Sequence, residues 1–216
     1  PGRLRRGDRR SRGGRAGLAL GPDRGGARPP RPRSDGRGAQ DFENPGGSGT
    51  GGTIGIVVDN GTLSAGSSID AQAVGTAGGS FSGVVTSETG RGGAITLTLS
   101  GINSSISAPR IDLSAPGTAF FGEGTLGGTT GIGGSVGVTV NGGSLIGDGV
   151  FLSAVGLGGN GSTIGEDQVP QAGGTGRGGT VGLTVNGGTL QAGAVGLDAN
   201  GEGGFGADSF SGSASA

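Results

Sequence analysis

The stretch Thr53–Asp59 reads T-I-G-I-V-V-D, so Ile54, Ile56 and Val58 alternate with positions that are small or polar or, at Val57, apolar. The alternation returns at Ile95, Leu97 and Leu99, at Val136, Val138 and Val140, and at Val181, Leu183 and Val185. A period of two marks a strand with one buried face. Leu63, Ile106, Leu145 and Leu190 begin a second short strand in each copy. Ile69, Leu113, Leu152 and Leu197 point inward in a third, with Ala71, Ala115, Ala154 and Ala199 two positions on. Glycine doublets open the four copies at Gly51, Gly92, Gly133 and Gly178, giving spacings of 41, 41 and 45 residues. A helix does not fit, because glycine at about every fourth position costs on the order of 1 kcal/mol each relative to alanine.

No copy can bury its apolar face alone. If successive copies coil so that equivalent strands pair in parallel, each column becomes a ladder inside a dry core. About 24 residues of each copy suffice for one coil of three short strands, leaving a Gly-rich remainder such as the stretch after Val155 as a loop or an irregular part of the coil. Corners need residues that tolerate positive φ, and Asn-Gly recurs at Asn60, Asn141, Asn160, Asn186 and Asn200. Asn141 and Asn186 share a repeat position with Asp59 and Ser100, which predicts a polar ladder along one corner. Asn-Gly also suits hairpin turns, so an antiparallel meander is the competing arrangement. The fold class expected is all-β, a parallel β-helix (β-solenoid) with Gly-rich loops over residues 46–216.

Composition sharpens this picture. Of 216 residues 59 are glycine, seven Phe are the only aromatics, and Cys, His, Met, Trp, Tyr and Lys are absent. The core must therefore be built from small aliphatics in thin layers. Disulfides, thiolate nucleophiles and zinc–sulfur sites are excluded, and so is the usual imidazole base. No apolar run is long enough for a transmembrane helix. A chain that begins at Pro1 with no apolar leader, and whose repeat shows no cap, is expected to be a piece of a longer array.

Charge divides the chain. Residues 1–40 hold twelve of the fifteen Arg against Asp8, Asp23 and Asp35, and include Pro22, Pro29, Pro30 and Pro32. Residues 1–45 read as a disordered basic segment, a linker or the product of GC-rich DNA translated out of frame. Without aromatics for base stacking, the arm is not expected to bind a specific nucleic acid. Arg6-Gly7-Asp8 spells an integrin-type tripeptide, which an Arg/Gly-rich stretch produces readily by chance.

The pattern GG[TS]VGLTVNGG[TS]L resembles the β-strand repeats of filamentous-haemagglutinin-like adhesins and autotransporter passenger domains of Gram-negative bacteria, over about residues 46–216. That resemblance implies a right-handed parallel β-helix, export across the outer membrane to the cell surface, and a part in adhesion or biofilm formation. Its expected partners are cell-surface glycans or proteins, and open solenoid ends are expected to self-associate. No catalytic, cofactor-binding or metal-binding residues are assigned, and no enzymatic activity is expected. Gly203–Phe210 matches one copy of a calcium-binding nonapeptide, whose sites need tandem copies. Asp70 and Asp198 share a repeat position with Ser114 and Ser153, while Asp112 and Asp148 fall in other columns, which reads as a solvated surface. The Thr98, Thr139 and Thr184 column is ordinary strand composition. Two other function classes compete: a secreted carbohydrate-active β-helix enzyme, and a disordered matrix protein resembling the glycine-repeat proteins of mycobacteria.

Overall fold

A strand with one apolar face needs a second apolar face to cover it, and the molecule supplies one from within each repeat. The computed structural model describes residues 31–38, 46–79, 88–119, 129–161 and 172–206, together with the backbone of the strands Arg15–Leu20 and Ala214–Ser215. Among these residues there is no helix, and so none long and apolar enough to cross a membrane. The protein is all-β, and its strands pair in parallel.

Four sheets are built from equivalent strands of successive repeats. The first contains Arg15–Leu20, Thr53–Asp59, Ala94–Ser100, Ser135–Asn141 and Thr180–Asn186. The second contains the short strands Thr62–Ser64 and Ser68–Gln72 of one repeat, which pair with Ser105–Ser107 and Arg110–Ser114 of the next. It continues with the longer strands Ser144–Ser153 and Thr189–Asp198. The third holds Gly36–Arg37, Gly75–Thr76, Gly117–Thr118, Gly156–Leu157 and Gly201–Glu202. The fourth holds Gly49–Thr50, Thr89–Arg91, Thr130–Ile132, Gly176–Arg177 and Ala214–Ser215. The chain visits the four in this order and then returns to the first.

The first two sheets share the aliphatic core. Ile54, Ile95 and Val136 form one register column, and Ile56, Leu97 and Val138 the next, with all six buried. Leu63, Ile106 and Leu145 are buried from the second sheet. Burying such side chains stabilises by about 1.5–3 kcal/mol each, which is how a chain poor in aromatics still holds a core.

The last two sheets are held together without side chains. A Cβ on Gly75 would lie 1.7 Å from the Arg91 carbonyl oxygen, one on Gly117 1.8 Å from that of Ile132, and one on Gly156 1.9 Å from that of Arg177. From the other side, a Cβ on Gly90 would lie 1.9 Å from the Thr118 carbonyl oxygen. The two backbones are thus in direct contact, far closer than the roughly 10 Å between sheets filled by side chains. Glycine doublets close the same half: Gly93 N donates to Ala73 O at 2.8 Å and Gly134 N to Ala115 O at 2.8 Å.

This arrangement decides between the alternatives that the sequence left open. The paired unit is not a 24-residue coil with a loop attached, since Ile54 pairs with Ile95, 41 residues on, and Gly-rich pieces of the remainder are themselves strands. A glycine strand has no side-chain alternation to reveal it. Residues 162–171 of the stretch after Val155 lie outside the described residues. The antiparallel meander is excluded, for positive φ at Asn60, Gly101, Gly142 and Gly187 serves corners between parallel sheets, with one isolated antiparallel bridge, Asn141 to Gly187. The polar corner ladder is present: Ser100 Oγ donates to Asp59 Oδ1 at 3.0 Å, and Asn186 Nδ2 to Asn141 Oδ1 at 3.1 Å.

Pairing also reaches into the basic stretch. Arg15–Leu20 lies beside Thr53–Val58, with Ala16, Leu18 and Leu20 at the register positions of Ile54, Ile56 and Val58. Farther on, Ser34 N donates to Gln72 O at 2.9 Å, and Gly36–Arg37 pairs with Gly75–Thr76. The described part of this arm is therefore joined to the repeat. Ladder pairing draws on backbone groups, which aliphatic-poor sequence supplies as well as any other.

Candidate functional site

In the third strand the first repeat pairs two residues away from the alignment read off the sequence, while Leu113, Leu152 and Leu197 share a column as that alignment has them. Ile69 lies opposite Ile111, and Ala71 opposite Leu113, because the bend at Ala65–Ser67 is one residue longer in that repeat. The buried columns are therefore Ile69–Ile111–Val150 and Ala71–Leu113–Leu152, both continuing into the last repeat at Val195 and Leu197. Outward residues shift with them. Asp70 stands opposite Asp112, while Asp198 belongs with Gln72, Ser114 and Ser153. Asp70 and Asp198 do not share a position, and Asp112, assigned to another column by sequence, does share one with Asp70. Asp148 falls where the pairing is briefly interrupted, between Gly147 opposite Ala192 and Gly149 opposite Ala194.

The new register gathers an outward-facing groove of about 670 Å³ over the second sheet, whose lining includes Arg31, Asp70, Arg110, Asp112, Phe151 and Asp198. Two like charges directly opposite on neighbouring strands are unfavourable. Each has an arginine: Arg31 Nε lies 3.6 Å from Asp70 Oδ2, and Arg110 Nε donates to Asp112 Oδ2. Ser68 Oγ donates to Asp70 Oδ2 at 2.9 Å. The hydrogen bond to Asp112, and next the charge of that carboxylate, raise the Arg110 pKa above its ordinary value, so the side chain is a fixed cation. These pairs are largely exposed and screened by solvent, so they add little to stability.

Arg110 also lies over the Phe151 ring, 4.4 Å from its centroid. The ring reaches over two glycines: a Cβ on Gly149 would meet Phe151 Cε2 at 2.4 Å, and one on Gly196 would meet its Cδ1 at 2.8 Å. Glycine at both places is what lets an outward Phe lie down along the sheet under a guanidinium. The groove thus offers hydrogen-bonding groups of both signs beside an aromatic edge, on a rigid ladder. Parallel pairing sets Asp70 and Asp112 side by side on adjacent strands, whose backbones lie about 4.8 Å apart.

Other candidates fare differently. The Thr98, Thr139 and Thr184 column is in register with Val57 on the outer face of the first sheet. Arg6-Gly7-Asp8 lies outside the described residues, as does the Asp208 half of Gly203–Phe210. Sequence reasoning missed the groove because the acid pair is set by register, and shifting a strand by two residues leaves its alternation unchanged. No family model matches the chain, and no curated protein or solved structure matches it either.

Proposed function

We propose that the chain winds as a parallel β-solenoid and serves as a non-catalytic scaffold at a bacterial cell surface, presenting regular outward ranks to glycans or proteins in adhesion. One observation carries the winding: in all four sheets each strand pairs in parallel with its equivalent one repeat away. A chain that passes four sheets in fixed order and then begins again is a coil of constant phase. The adhesive role and the exported location rest on the resemblance of the repeat to surface β-strand repeats. The groove with Asp70, Arg110, Asp112 and Phe151 is the face best equipped to contact a polar polymer. Beads coated with the chain are expected to retain bacterial or host cells, and Arg110→Ala with Asp112→Ala is expected to lower retention severalfold. Retention no greater than on beads coated with a disordered Gly/Ser chain overturns the adhesive role. A random-coil circular dichroism spectrum overturns the winding and favours the disordered matrix reading.

The juxtaposition of Asp70 and Asp112 favours a second reading, a carbohydrate-active solenoid in which these two acids act on a glycosidic bond. Product released from a polysaccharide panel, and lost in both Asp70→Asn and Asp112→Asn, would establish it.

A further inference from the structure

One corner of the ladder is longer than its neighbours. Register sets Asp59, Ser100 and Asn141 side by side at the end of the first sheet. It sets Thr62, Ser105 and Ser144 side by side at the start of the second. Residues 60–61 and 142–143 bridge the two sheets in their repeats, whereas residues 101–104 do so in the repeat between them. Strands held in register leave the added residues no place in the rung, so they project outward. Ile102 is 85% exposed, and Asn103 is exposed beside it. The base of the projection is nevertheless fixed. Ser104 is buried, its Oγ accepts from Asn60 N at 2.8 Å and donates to the Ser100 carbonyl oxygen, and its N donates to Gly101 O at 3.1 Å.

Asn103-Ser104-Ser105 is an Asn-x-Ser triplet without proline at its centre, the acceptor pattern for N-linked sugars. A triplet this short arises readily by chance, and the chain holds two others, Asn60-Gly61-Thr62 and Asn160-Gly161-Ser162. Their surroundings separate the three. Asn60 Nδ2 donates to Asp59 Oδ1 at 3.2 Å, and its amide lies under the longer corner, where a Cβ on Gly101 would come 2.3 Å from Asn60 Oδ1. Asn160 Oδ1 accepts from Phe205 N at 3.0 Å, and Gly161 N donates to Phe205 O at 2.7 Å, which ties that triplet to the next repeat. Ser162 lies outside the described residues. At the projecting corner Ser104 turns inward, so Asn103 and Ser105 both lie on the outer side. An enzyme can there reach the amide and the hydroxyl together.

We propose that Asn103 is an N-glycosylation site, its Nδ2 taking a sugar from a glycosyl diphosphate donor. Nδ2 attacks the anomeric carbon, and a C–N bond forms as the C–O bond to the diphosphate breaks. The bonding pair leaves with the diphosphate, and one amide proton passes to base. The attached ring lays its C–H groups beside Ile102, an apolar side chain that the fold leaves open. The site uses the corner geometry of the ladder and is independent of the adhesive role.

Cleavage after arginine puts the three triplets on separate peptides, residues 38–91, 92–110 and 111–177. The chain and its variants, produced in the cells that naturally make it, are digested and weighed by mass spectrometry. Peptide 92–110 is expected to carry sugar, and the other two none. A single hexose assigns the donor as a nucleotide sugar, and a preassembled oligosaccharide assigns it as a lipid-linked one. Asn103→Gln and Ser105→Ala are each expected to abolish the addition, and Ser105→Thr to retain it, with the far-ultraviolet spectrum unchanged in all three. Peptide 92–110 recovered wholly unmodified overturns the site and leaves the winding and the adhesive role standing. Sugar on peptide 38–91 to the same extent also overturns it, because the projecting corner would then select nothing.

Discussion

Glycine does two different jobs at Gly117 and Gly137. A Cβ at Gly117 would strike the Ile132 carbonyl oxygen at 1.8 Å, whereas one at Gly137 meets nothing within 4 Å. Backbone cannot swing aside as a flexible side chain can, so Gly117→Ala is expected to destabilise by about 3 kcal/mol, the upper range for overpacking. Gly137→Ala is expected to be neutral or stabilising by up to about 1 kcal/mol, through the entropy of the unfolded chain. Urea denaturation of the pair checks both, and equal effects would contradict the backbone contact between the third and fourth sheets. Asn60 shows the same logic at a corner. Its φ of 46° matches the left-handed corner that Gly101, Gly142 and Gly187 occupy in the other repeats. Asn60→Gly is expected to be tolerated, and Asn60→Val to lower the thermal midpoint by several degrees, since a β-branched residue resists that conformation.

At the scale of the strand, stability depends on having a neighbour on each side. Leu97 and Leu183 occupy one column, but Leu97 is buried between two strands whereas Leu183 lies half-covered on the last rung. Leu97→Ala is expected to cost about 3 kcal/mol and Leu183→Ala less than half of that. Comparable losses in denaturant midpoint would mean that the last rung is covered. On the outer face, Gly196→Ala is expected to push the Phe151 ring aside and free the Arg110 guanidinium. The near-ultraviolet signal of Phe should change while the far-ultraviolet spectrum stays constant.

At the scale of the molecule, the unit of tolerance is the whole repeat. Removing residues 92–132 joins Arg91 to Gly133 and deletes 41 residues, the offset at which Ile54 pairs with Ile95. Each remaining strand then finds an equivalent partner, so the shortened chain is expected to fold, with a smaller slope against denaturant. Removing about half as many residues puts first-sheet strands against third-sheet ones and is expected to abolish the β signal. Equal folding of both deletions would contradict the in-phase ladder.

Sequence alone determined the aliphatic columns of the first sheet, because alternation of Ile54, Ile56 and Val58 reports which face is inside whatever lies opposite. It also showed the repeat and the polar corner of Asp59, Ser100, Asn141 and Asn186, with parallel stacking and an antiparallel meander both left open. The strand Arg15–Leu20, with Ala16, Leu18 and Leu20 in register with Ile54, Ile56 and Val58, falls in the stretch that its arginines and prolines made read as disordered. Tertiary structure alone decided the rest. Moving a strand by two residues keeps every apolar side chain on its own face, so only backbone pairing could set Ile69 against Ile111 and Asp70 against Asp112. Glycine strands have no side chains to alternate, so their place in the repeat was fixed by which backbones touch. Register likewise placed Arg33 and Asp198, 165 residues apart, in a single column that no local pattern reveals.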